Sequence, residues 1–346
     1  MSELGWSNGE TARAQSAAFA ALDLGTNNCR LLIGAPTRDG FRVLDSYSRI
    51  VRLGEGLHHT GELAPSAMDR AMVALKACAD RIERRQLRGV RAVATEACRR
   101  ASNGAAFLDR VRDETGLEIK TISTREEAEL ALESCSPLLA DAGRRALLFD
   151  IGGGSTELAW VRLAPASTPK LIGYVSLPVG VVTLAERWGD AAFTADGFEL
   201  MVEDVMGRLE EFERVYCISH EIRMGGVRFL GTSGTVTTLA GIALKLPRYR
   251  RPLVDGHLLT HDDALAAMQH LRDLGREGLI AHPCVGPERI DFVLPGCAVF
   301  EAIRRLWPAE DIIVADRGLR EGMVLRMIRD IGALSSGRVH RYRYHA

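Results

Sequence analysis

Residues 146–158 read ALLFDIGGGSTEL: an apolar run that stops on Asp150 and then on three successive glycines. An apolar run of this length bounded by glycine predicts a buried strand ending in a tight turn. Glycine turns lack Cβ atoms and present backbone N–H groups, so they can approach a phosphate closely. Strand-like STELAWVRL and KLIGYVSLPVG follow, then helical TLAERW. The first half of the chain has the same order. AFAALDLG (residues 18–25) ends on Asp23 and Gly25, CRLLIGAP and FRVLDSYSRIV follow with Arg38-Asp39-Gly40 as the turn between them, and helical periodicity begins after Pro65. Aligning Asp23-Leu24-Gly25 on Asp150-Ile151-Gly152 brings the following strands into register, which is the mark of an internal duplication. A third glycine turn, GTSGT at residues 231–235, joins strand-like VRFL to helical VTTLAGIAL. Two copies that each end a strand in Asp-x-Gly predict a cleft between two domains.

The remainder of the first half reads as strand RAVATEA, helix AAFLDRVRDETG, strand EIKTIS and helix EEAELALESCS. The boundaries expected are 17–140 and 141–330 for the two domains, with a short hinge near Asp141–Arg144 and loose tails over 1–16 and 335–346. The 346 residues are 47% hydrophobic and 26% charged, enough for two cores. A net charge of −1 gives no global field to recruit a polyanion, so a polyanionic ligand needs a local basic groove, and nucleic acid is not expected. Apolar runs are too short to span a bilayer, and the polar start MSELGWSNGE carries no leader pattern. Seven scattered cysteines without a C-x-x-C pair read as free thiols of a reducing cytoplasm. Whether two copies pair as a homodimer is not legible.

ALDLGTNNCRLLI, VRLGEGL, ATEACRRASN, STREEAEL, LLFDIGGGSTEL, LGTSGTVTTLAG and ADRGLREGM occur in this order. Together they resemble the exopolyphosphatase / guanosine pentaphosphate phosphatase family of the actin-like ATPase superfamily, in its short two-domain form. The resemblance implies an α/β fold of two duplicated ribonuclease-H-like domains. It also implies a phosphohydrolase that releases terminal orthophosphate from inorganic polyphosphate or guanosine pentaphosphate with Mg²⁺ or Mn²⁺. A kinase-like polyphosphate:ADP phosphotransferase and a non-catalytic alarmone sensor are the alternatives.

By the same resemblance Glu127 is the general base, a role that needs a carboxylate able to deprotonate water. On the residues alone, Thr124-x-x-Glu127 is equally a capping box that closes a helix N-terminus, and Ser123 with Glu126 is another. Asp150 and Glu157, with Asp23 facing them, are the expected metal carboxylates, because Mg²⁺ takes few hard oxygen ligands and shares phosphate oxygens. A turn-stabilising aspartate and an exposed strand glutamate are the alternative readings. Gly152, Gly153, Gly154, Ser155 and Thr156 are expected to cradle phosphate, with Thr26, Asn27 and Asn28 facing them. Gly231, Thr232, Ser233 and Gly234 are expected to hold a further phosphate or a guanosine. Arg99 matches the family arginine that contacts phosphate, Arg100 being its rival and Arg52 a weaker candidate. Cys29 reads as an inert, half-buried thiol. Arg81, Arg84, Arg85, Arg88 and Arg91 form either a polyanion groove or a solvated helix face.

Overall fold

A computed structural model describes residues 18–38, 40–139, 143–165 and 167–335. The expected turn residue Asp39, the expected hinge residues Asp141 and Ala142, and the expected tails (1–16, and 335–346 after Ser335) lie outside the described residues. The strands are β1 (Ala18–Leu24), β2 (Asn28–Thr37), β3 (Gly40–Ile50), β4 (Leu87–Ala94), β5 (Ile119–Thr121), β6 (Arg145–Ile151), β7 (Thr156–Arg162), β8 (Lys170–Leu177), β9 (Val227–Thr232), β10 (Leu258–Thr260) and β11 (Asp311–Ala315). The helices that matter below are α1 (Pro65–Glu83), α2 (Glu96–Arg100), α3 (Gly104–Thr115), α4 (Thr124–Cys135), α5 (Val181–Trp188), α6 (Ala195–Tyr216), α7 (Gly234–Ala243), α8 (Ile290–Leu306) and α9 (Leu319–Ser335).

Two sheets form, in the orders β3-β2-β1-β4-β5 and β10-β11-β9-β6-β7-β8. In each, an antiparallel three-strand meander is extended by parallel strands: β1 beside β4 and β4 beside β5, then β6 beside β9 and β9 beside β11. The duplication reaches single hydrogen bonds. Gly25 N donates to Asn28 O and Gly152 N to Ser155 O, both at 2.9 Å. Each outer strand pair is bulged at the same place after its aspartate, between Ile33 and Gly34 and between Trp160 and Val161. A bulge adds local twist and bends the ribbon, so both meanders curl alike.

Strand β1 is an almost continuous apolar run because both of its faces are covered. Ala20, Leu22 and Leu24 meet α1 and α3 through Leu75, Cys78, Phe107 and Val111. Ala21, with Leu32 and Val93, meets Leu130 of α4 and Leu319, Met323 and Val324 of α9. In the second sheet, Leu147, Phe149 and Ile151 pack on α6, α7 and α8, while Ala146 and Leu148 meet Ala128, Ala131 and Leu132 of α4. Helix α4 therefore lies between the sheets and contributes to both cores. Helix α9 fits closely beside it, since a Cβ on Gly322 would stand 2.1 Å from Leu130 O. The expected cut at residue 140 does not follow this packing, because the last helix of the chain completes the layer on the first sheet. Strand β4 also ends at Ala94, earlier than RAVATEA implies, because α2 starts at Glu96. No described helix is long and apolar enough to cross a membrane. Among the described residues the cysteines are all free. Cys29 is fully buried rather than half-buried, and a thiol hydrogen bond with Cys78 and burial push its thiol far above the ordinary range.

Candidate active site

The two Asp-x-Gly loops line one cleft of about 800 Å³. Asp23, Thr26, Asn27 and Asn28 line it from the first sheet, and Asp150, Gly152, Gly153, Gly154, Ser155 and Glu157 from the second. The loops approach so closely that a side chain at either of two glycines would crowd the opposite loop. A Cβ on Gly153 would lie 3.1 Å from Asn27 Cβ, and one on Gly154 would lie 2.7 Å from Thr26 Oγ1. Behind each loop stands a backbone brace. Val51 N and Arg52 N donate to Asn27 O, and Gly54 N donates to Thr26 O, at 2.8, 3.0 and 2.9 Å. In the second domain Val181 N and Val182 N, opening α5, donate to Gly152 O and Gly153 O at 3.0 and 2.8 Å. The two braces touch, since Gly56 N donates to Glu186 Oε1 of α5 at 2.9 Å. Arg52, at φ 48°, places its guanidinium over the Phe292 ring of α8, and this contact explains its position better than phosphate does.

Glu127 lines the cleft from α4 and is buried. It does not cap its helix. The N-cap is Ser123, whose Oγ accepts from Glu126 N at 3.2 Å, so the capping box with Thr124 is not formed. Glu126 turns outward to ion-pair with Arg91. Glu127 instead meets other carboxylates. Burial first, then the charges of Glu157, Asp23 and Asp150, push its pKa well above the ordinary carboxylate range, against the pull of Arg99. Burial raises Asp150 to about 6, with Asp23 adding and Arg30 opposing. Burial and then Asp150 raise Glu157 to about 7, although Ser176 Oγ donates to its Oε1 at 2.8 Å. Burial also raises Asp23, against Arg30 and Arg320. Carboxyl groups raised in this way are relieved either by holding protons or by positive charge beside them. Among the described residues no three His, Cys, Asp or Glu side chains converge to cage an ion. The donor set suits a cation such as Mg²⁺ that keeps water and takes phosphate oxygens from a substrate.

Three residues expected to bind phosphate stand elsewhere. Thr156 is turned into the core and donates from Oγ1 to Val179 O at 2.7 Å. Gly231 is a packing glycine, since a Cβ there would meet the Phe149 ring at 2.6 Å. Arg99 is not on the cleft wall. Its fork is spent on Glu96, on Ile122 O and on Glu127. Thr232, Ser233 and Gly234 do line the cleft. Ser233 is held at φ 119° and caps α7 by accepting from Thr235 N and Val236 N, a strained conformation that needs its surroundings to hold it. The arginine run from 81 to 91 is an ion-paired surface where it is partnered: Arg81 and Arg85 meet Asp45, and Arg91 meets Glu126.

The cations of the cleft are Arg30, Arg49, Arg289, Arg317 and Arg320, none of which stood out in the sequence. Arg30 had a legible signal. It pairs across the meander with Asp23 just as Glu157 pairs with Asp150, so the duplicated loops differ by an exchange of charge at one position. Arg289 is anchored by donating to Val285 O and Cys284 O, and its Nη1 faces the Gly234 turn. Arg317 is committed to Asp255 at 2.8 Å.

A family model described as the Ppx/GppA phosphatase family matches residues 33–330. The chain belongs to that family. An Exopolyphosphatase 2 of Mycobacterium tuberculosis is 29% identical over 322 residues, covering 89% of this chain and 98% of that protein. A guanosine-5'-triphosphate,3'-diphosphate pyrophosphatase of Photobacterium profundum is 30% identical over 325 residues, but this chain spans only 59% of its length. The crystal structure of the Aquifex aeolicus family member superposes with a TM-score of 0.75 at 26% identity, covering 91% of this chain and 98% of the other. The family's fold of two duplicated α/β domains about a cleft is thus the fold of this chain.

Proposed function

We propose that this protein is a phosphohydrolase that releases terminal orthophosphate from inorganic polyphosphate, guanosine pentaphosphate or both, by metal-assisted attack of water. The observation that carries the reading is the position of Glu127: buried, free of any capping duty, and lining the same cleft as Asp23, Asp150, Glu157 and the glycine loops. In this reading the loops bearing Thr26, Asn27 and Asn28 and Gly152, Gly153, Gly154 and Ser155 receive the terminal phosphate through backbone and side-chain N–H and O–H groups. Arg30 and Arg320 neutralise its charge beside Asp23, and Arg289 with the Ser233–Gly234 turn takes a phosphate further along the chain. Glu127 orients water in line with the leaving oxygen and takes its proton, a task its raised pKa suits. Asp150 and Glu157, with Asp23 opposite, would hold Mg²⁺ or Mn²⁺, which when bound polarises the phosphoryl oxygens. The chain's likeness along almost its whole length to a protein named an exopolyphosphatase supports the same reading.

The test is orthophosphate release in the presence of Mg²⁺ from long polyphosphate, short polyphosphate and guanosine pentaphosphate, assayed in parallel. Steady release from at least one of them is expected. Binding without release from any of them would contradict the proposal.

A further inference from the structure

Arg99 and Glu96 stand together behind the proposed base, and neither reaches the cleft wall. Glu96 opens α2 and is buried. One carboxylate oxygen, Oε2, accepts from Arg99 Nη2 at 2.6 Å and Nε at 3.2 Å. The other end of the guanidinium, Nη1, donates to Ile122 O at 2.9 Å and to Glu127 Oε2 at 3.3 Å. Ile122 is the last residue before the Ser123 cap of α4, so a single planar group ties the start of that helix to its buried glutamate. On its other side Glu96 meets Arg100, whose Nε lies 3.7 Å from Oε1, and the Gly154 loop, where a Cβ on Gly154 would lie 3.3 Å from Glu96 Cγ. The chain of contacts therefore runs from the second phosphate loop through Glu96 and Arg99 to Glu127.

A planar guanidinium keeps its N–H groups at fixed angles. Whatever sets the plane of Arg99 thus sets where it meets Glu127. We infer that Glu96 is a positioning residue for Glu127, clamping the Arg99 guanidinium so that it aims the base into the cleft. The inference rests on the reading of Glu127 as the base.

Its test separates kcat from KM. Glu96→Ala should lower kcat by up to about 10²-fold, the cost of a misplaced catalytic group, while KM for the chosen phosphate substrate stays within about threefold. Glu96→Gln keeps an accepting oxygen and should retain most of the kcat that Glu96→Ala loses. The double variant Glu96→Ala/Arg99→Ala should be no slower than Arg99→Ala alone, because the two act as a unit. Added guanidinium should partly restore Arg99→Ala. A KM effect carrying the loss in Glu96→Ala, or a normal kcat in that variant, overturns the inference. If Arg99→Ala does not fold, the comparison of Glu96→Ala with Glu96→Gln decides it alone. Glu127→Gln is measured alongside: an active Glu127→Gln sinks the reading of the base, whereas an inactive one beside a normal Glu96→Ala sinks only the clamp.

Discussion

Glu127→Gln should abolish hydrolysis and leave the fold intact. The amide keeps the size of the glutamate but accepts no proton from water at neutral pH. Loss of general-base catalysis typically costs about 10²–10⁴-fold in rate. The structural cost is small. Ser123, not Glu127, caps α4, so no cap is lost. The charge removed is one that burial and three neighbouring carboxylates already disfavour, and the partner it deserts, Arg99, retains Glu96 and Ile122 O. The melting temperature should therefore be unchanged within about 3 °C or rise, a stability change below about 1 kcal/mol in the losing direction. Glu126→Gln is the control one residue away. It faces Arg91 at a partly exposed site, and such pairs contribute about 0–1 kcal/mol, so its activity should match wild type. Phosphate release, thermal melts and substrate binding are measured on all three proteins. Near wild-type kcat in Glu127→Gln, or an inactive Glu126→Gln, refutes the assignment.

Further expectations concern the carboxylates and the loops. With Asp150 raised to about 6 and Glu157 to about 7, divalent-cation affinity should climb as pH rises through 6 to 7 and these groups lose protons; calorimetric titration with Mn²⁺ at pH 5.5 and 8 giving equal affinities would count against this. The same shifts set a stability trend. A carboxyl group raised by folding contributes stability that is full below its unfolded value and lost as pH rises through its folded value, so the metal-free protein should melt higher near pH 5 than near pH 8, and added Mg²⁺ should narrow the gap. The double variant Asp150→Ala/Glu157→Ala should lose metal-supported turnover, and full activity of that variant in excess EDTA would exclude the role given to both residues. Gly154→Ala must push the Thr26 side chain away, since the new Cβ starts 2.7 Å from Thr26 Oγ1; turnover should fall, and normal turnover in a phosphate-release assay would show that this close approach is not needed.

The duplicated core was legible because both Asp-x-Gly loops end buried strands, and such strands announce themselves by apolar runs. Their register could be aligned on the aspartates, and the shared Gly25 and Gly152 hydrogen bonds are the physical content of that alignment. Packing across long sequence separations was not legible. Nothing near residue 320 indicates that α9 returns to cover β1 and β2, and that return is what brings Arg320 beside Asp23. Gly231 and the cradle glycines look alike in sequence, yet Gly231 makes room for the Phe149 ring, Gly153 and Gly154 for the opposite loop. Arg99 and Arg289 differ only in where their forks are spent: one is consumed by Glu96, Ile122 O and Glu127, while the other keeps Nη1 toward the cleft. On the residues alone, without the family resemblance, Glu127 was separable from Glu126 only through the cap, because both glutamates follow a hydroxyl residue at capping distance and the helix uses Ser123.

The central claim is that water, activated at Glu127, attacks the terminal phosphorus. The direct measurement is turnover in ¹⁸O-enriched water with Mg²⁺, on whichever of polyphosphate or guanosine pentaphosphate the protein accepts, with mass analysis of both products. One solvent oxygen should appear in each released orthophosphate and none in the shortened chain. Solvent oxygen in the shortened chain, or orthophosphate released without it, would contradict the account.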